Sequence, residues 1–169
     1  SSGYLLDKLL LRYEISMQSV MIKKSILDSN NLFFDNSLTY SPDYDLFMKI
    51  ACLFPIGVID DFISSYRILD NSLSKQSLEI APIEIKHTLD SISKANPKFM
   101  IKFNKEFEVA YKKLHYYNAV FNLYSNQRKY ARNEIRKIMN SKIEYFILYL
   151  ILLLPLSNQR ILKILGREF

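Results

Sequence analysis

Leucines at positions 5, 6, 9 and 10 fall on one face of a helix, and the polar residues between them predict an amphipathic helix over residues 4–13. The pattern then changes. Residues 15–23, with Val20 and Ile22 as β-formers, read as a buried strand, and a one-turn helix at 25–27 follows. That helix is expected to end at Asn30 and Asn31, since asparagine tolerates the left-handed backbone that usually calls for glycine. Phe33 and Phe34 anchor a loop. Helical spacing returns at Leu46, Phe47, Ile50 and Ala51, predicting a central helix over 41–51. Residues 55–59 read as a short strand and 62–68 as a second extended segment, with 70–75 as a linker.

Beyond residue 76 the periodicity is helical almost to the end. One helix is expected from about 77 to 94, delayed or kinked by Pro82. A long one opens at Asn96 and Pro97 and runs to about 124, and a third covers 127–139. A fourth starts near 141 and is interrupted by Pro155, leaving a last helix over 158–166. The expected fold class is therefore α+β and helix-dominated, with a few short strands in residues 1–75 and a helical region over 76–169.

The chain has 169 residues, enough for a sizeable core. Its single cysteine, Cys52, rules out an internal disulfide and a cysteine-based zinc site. Residues 1–3 run straight into the first amphipathic segment without the pattern of a signal peptide, so the start reads as cut from something longer, and a cytoplasmic location is expected. Charge is uneven. Residues 1–75 carry seven Lys and Arg against nine Asp and Glu, a balance of −2, whereas 76–169 carry sixteen against eight, a balance of +8. The basic half suits an anionic surface or the solvated faces of amphipathic helices.

The chemistry centres on the start of the central helix. Ser41 or Asp43 can serve as its N-cap, and Asp43 and Asp45 fall in its first turn, where backbone N–H groups and the helix dipole favour the ionised carboxylate. Such carboxylates can take a proton, meet a cation or simply cap the helix.

The surrounding residues shift the weight among these. Gln18-Ser19-Val20-Met21-Ile22-Lys23-Lys24, Asn31-Leu32-Phe33-Phe34-Asp35, Ser41-Pro42-Asp43-Tyr44-Asp45-Leu46-Phe47-Met48-Lys49-Ile50-Ala51, Pro55-Ile56-Gly57-Val58-Ile59 and Tyr66-Arg67 follow one another in a familiar order. The run resembles the acceptor-side half of bacterial family 2 glycosyltransferases of the GT-A, Rossmann-like fold, over about residues 3–75. The resemblance implies inverting transfer of a sugar from a nucleotide-sugar donor to a glycan or lipid-linked acceptor in surface polysaccharide synthesis. It places the general base on Asp43 and gives Asp45 a supporting role. Pro42 stands where the family has a glutamate. Arg67 matches a position near the donor diphosphate, while Leu69 replaces a family histidine and cannot ligate a cation. The family implies a divalent metal, Mg²⁺ or Mn²⁺, for which no ligand is placed in this chain. A nucleotide-binding half is also absent from these residues, so the segment by itself is expected not to bind donor.

His87 and His115 lie on separate predicted helices without ligand spacing to a carboxylate or cysteine. Tyr111, Tyr116, Tyr117, Phe121 and Tyr124 interleave with Lys112, Lys113 and Arg128, but their helical spacing reads as packing and no nucleic-acid partner is expected. Ten apolar residues at 145–154 would span about 15 Å as a helix, half a bilayer core. With the basic residues behind Pro155, the segment 143–169 suits peripheral contact at the inner face of the cytoplasmic membrane, the alternative being a helix buried against the one expected over 97–124. Two classes stand: an acceptor-binding enzyme part, or a non-enzymatic helical module that binds a membrane surface or a protein on a remnant glycosyltransferase scaffold.

Overall fold

The computed structural model describes residues 2–65 and 78–166, and they are dominated by helices. The elements are α1 (Leu6–Leu11), α2 (Lys24–Asn30), α3 (Pro42–Leu53), α4 (Ala81–Ala95), α5 (Pro97–Lys102), α6 (Asn104–Tyr124), α7 (Arg128–Ile138), α8 (Ile143–Leu153) and α9 (Asn158–Ile164). Most lie where the periodicity predicts them. Helix α2 runs further than the one turn expected and closes on Asn31 in the left-handed region, φ 52°. Helix α4 starts late, with Pro82 in its first turn, and the long helix expected over 97–124 breaks at Phe103 into α5 and α6. Arg67, Leu69 and the linker 70–75 lie outside the described residues.

The expected strands are a correction. Residues 15–23 form no strand: Met17–Ser19 is a 3-10 turn, Val20 is extended but exposed, and Met21 is 98% exposed. The segment over 55–59 contributes one isolated antiparallel bridge, in which the Gly3 N–H donates to the Ile56 carbonyl at 2.9 Å and the Ile56 N–H donates back at 2.8 Å. Residues 62–65 are exposed coil. The physical reason is that a strand exists only by pairing, and among the described residues no further backbone edge lies beside these β-formers.

Helix α6 is the spine, about 32 Å long at 1.5 Å per residue. Its first half supplies Phe107 and Ala110 to a core shared with Leu6, Leu9 and Leu10 of α1, Met48 and Ala51 of α3, and Leu89 and Ile92 of α4. This core draws on both sides of the expected 75/76 division. The second half of α6 supplies Ala119, Val120 and Leu123 to another core, with Ala131 and Ile135 of α7, Leu148 and Leu152 of α8 and Ile161 of α9. A smaller cluster joins Leu32, Leu46 and Phe47.

A helix end leaves carbonyls without partners, and that of α8 is closed by an arginine. The Arg128 guanidinium donates to the carbonyls of Leu152 at 3.0 Å, Leu156 at 2.5 Å and Ile151 at 3.3 Å, and also to that of Leu154. A lysine has no planar fork to reach several carbonyls at once. Arg128→Lys is therefore expected to lower stability by about 1–2 kcal/mol, read from urea unfolding, while secondary structure content stays the same.

Candidate functional site

A cleft of about 410 Å³ lies where the end of α1, the start of α3, the start of α4 and the middle of α6 meet. Asp43 lines it. So do Arg12 and Tyr13 after α1, Tyr40, Ser41 and Tyr44 around the start of α3, and Lys113 and Tyr117 of α6. Four tyrosines and one carboxylate therefore face the same space.

The start of α3 is held by a residue from another helix. Glu84, buried on α4, accepts from the backbone N–H groups of Thr39 at 2.7 Å, Tyr40 at 2.9 Å and Ser41 at 2.7 Å, and from the Ser41 hydroxyl at 3.1 Å. Burial raises the Glu84 carboxyl, but the three backbone donors and the Ser41 hydroxyl outweigh it and hold the group below the usual carboxylate range. Ser41 occupies the N-cap position without capping through its side chain. Neither Ser41 nor Asp43 thus makes the expected cap bond, because Glu84 has taken the loop.

The two aspartates part company. Asp45 is 0% exposed and accepts from Lys49 Nζ at 2.6 Å and from the Thr88 hydroxyl of α4 at 2.9 Å. It fastens α3 to α4 and does not line the cleft. Asp43 does line it, and among the described residues no hydrogen bond or ion pair engages its carboxylate.

Tyr13 meets Tyr44 edge to face, with centroids 4.8 Å apart and planes at 68°. The Tyr13 hydroxyl is buried and has no hydrogen-bond partner among the described residues. Burial first, then the Asp43 carboxylate and Tyr44, push its pKa above the ordinary phenol value. Tyr44 is raised in the same direction, mainly by burial. Lys113 donates to the Leu11 carbonyl, and burial followed by the nearby charges of Lys142 and Arg12 holds its pKa below that of a free lysine.

Other groups fall away from the cleft. His115 Nδ1 lies 2.7 Å from Glu134 Oε2, and His87 sits 3.7 Å from Asp35. The Cys52 thiol is pushed up to about 12 by burial, so it is no nucleophile near neutral pH. Among the described residues no three His, Cys, Asp or Glu side chains gather where they could hold a metal ion. Among the described residues Asp43 alone, with Asp45 committed to Lys49 and Thr88, does not make up the several oxygen ligands that a divalent cation takes.

The residues that sequence reasoning missed are Glu84 and Thr88, Tyr13 as a cleft wall, and Tyr117 and Lys113 opposite it. One signal for the first pair was available: both interrupt the apolar stripe of Ala81, Ile85, Leu89 and Ile92 on α4. Compared with protein-family models, with curated proteins and with solved structures, the chain matches none of them.

Proposed function

We propose that this chain is the acceptor-binding part of an inverting glycosyltransferase and that Asp43 is its general base. The observation that carries the reading is the Asp43 carboxylate in a tyrosine-lined cleft beside the buried Tyr13 hydroxyl, neither of them hydrogen-bonded or ion-paired among the described residues. Aromatic faces suit the apolar faces of sugar rings, and an unsatisfied buried hydroxyl gains when a ligand supplies its partner. The order of motifs around Asp43 resembles the acceptor-side half of bacterial family 2 glycosyltransferases, and the partial GT-A architecture is part of the same proposal. In the reaction a hydroxyl of a glycan or lipid-linked acceptor gives its proton to Asp43. Its oxygen bonds to the anomeric carbon as the bond to the nucleoside diphosphate breaks, and the diphosphate leaves with the electron pair. Arg67 is proposed near that diphosphate on the resemblance alone.

The test is transfer from a panel of nucleotide sugars to glycan and lipid-linked acceptors by the complete gene product, in buffers containing Mg²⁺ or Mn²⁺. Acceptor-dependent release of nucleoside diphosphate with formation of a glycoside is the expected result. Failure with every donor and acceptor overturns the reading in favour of a non-enzymatic helical module. That second reading draws on the helical architecture, in which one bridge replaces the strands expected of a glycosyltransferase half.

A further inference from the structure

Helix α8 is apolar apart from Glu144 and two tyrosines, yet only one side is covered. Leu148 and Leu152 are buried in the second core, whereas Ile143, Phe146, Ile147, Leu150 and Leu153 are between 42% and 66% exposed. Steps of three and four residues put these five on one stripe. Exposed Leu154 extends it at the helix end. A contiguous bare apolar face of this kind marks a contact surface. The Arg128 bonds to the carbonyls at the end of α8 hold the helix on the body, so the stripe is carried on a fixed element.

Charge indicates the occupant. Residues 128–166 contain eight Lys and Arg against two Glu, a balance of +6. Lys142 directly precedes the stripe, and Arg160 and Lys163 are exposed on α9. Of the two acids, Glu134 is already engaged by His115 and Lys137. A second copy of the chain would set these like charges against each other, whereas an anionic lipid surface neutralises them. Among the described residues no helix is long and apolar enough to cross a membrane. At eleven residues and about 16 Å, α8 covers about half of a bilayer core of about 30 Å.

We infer that α8 lies flat on an anionic membrane surface, with the stripe from Ile143 to Leu153 among the acyl chains and Lys142, Arg160 and Lys163 against the headgroups. This goes beyond the glycosyl-transfer reading and does not depend on it. The experiment is co-sedimentation of the chain with vesicles of phosphatidylcholine alone and of phosphatidylcholine mixed with phosphatidylglycerol. Binding is expected to be at least about tenfold tighter to the anionic vesicles and to weaken with added salt.

The double variant Ile147→Glu with Leu150→Glu changes two exposed positions, keeps its circular dichroism, and is expected to bind at least about tenfold more weakly. The chain contains no tryptophan, so Phe146→Trp provides a single reporter whose emission shifts to the blue on insertion. Vesicle binding that ignores the double variant, or no binding to anionic vesicles, overturns the inference. Dimerisation in light scattering that the double variant abolishes, without vesicle binding, assigns the stripe to a second copy instead.

Discussion

Glu84→Ala is expected to destabilise the chain by about 3 kcal/mol at neutral pH, a fall of roughly 10 °C in Tm for a domain of this size. The carboxylate replaces water for three consecutive backbone N–H groups and the Ser41 hydroxyl at a buried point, and alanine leaves those donors without a partner. Bonds to an ionised acceptor are about twice as strong as neutral ones, so Glu84→Gln is expected to lose part of the effect even though its oxygen still accepts. The pH dependence has a definite sign. The folded-state pKa lies below the unfolded value, so the contribution is complete above the ordinary glutamate range and is lost as pH falls through the depressed folded value. Urea unfolding of wild type and both variants from neutral to acid pH measures this. The gap between wild type and Glu84→Gln should narrow on the acid side, and a gap that is small at neutral pH or constant with pH would show that the loop is held by other contacts.

The same residue explains what sequence could and could not disclose. The helices were legible because their signals are local: the leucine spacing of α1, Pro82 at the start of α4, Asn31 at the end of α2 and Pro155 after α8 each act within a few positions. The strands were not, because Val20, Ile22 and the residues over 55–59 have β-propensity but, among the described residues, only Gly3 offers Ile56 a partner. Propensity for a sheet is a property of the pair, and one chain segment cannot declare it. The place of Asp43 in the first turn of α3 was legible, whereas the cleft it lines was not. Nor was the separation of Asp43 from Asp45, because the latter depends on Thr88, forty-three positions away. Tyr13 and Tyr117 come to one cleft only because α1 packs along α6.

On the glycosyl-transfer reading, Asp43→Asn is expected to lower kcat by at least about a hundredfold, within the range of 10² to 10⁴ that a positioned base contributes. Asparagine keeps the size of the side chain and can still accept a hydrogen bond from a sugar hydroxyl, so KM for the acceptor should change little. It cannot take the proton, so the loss falls on the chemical step. Stability should change by less than about 1 kcal/mol, the worth of a carboxylate in the first turn of a helix, since no other described group engages Asp43. Asp45→Asn gives the opposite division. Its carboxylate is buried between Lys49 and Thr88, so the substitution should cost about 2 kcal/mol of stability and leave turnover per folded molecule nearly intact. Initial rates and unfolding curves on the same preparations separate the two. A hundredfold loss of turnover in Asp45→Asn with unchanged stability, or full turnover in Asp43→Asn, would move the base away from Asp43. Of the two carboxylates in the same turn, the one proposed as base faces the cleft and is engaged by no other described residue, whereas the other is held between Lys49 and Thr88.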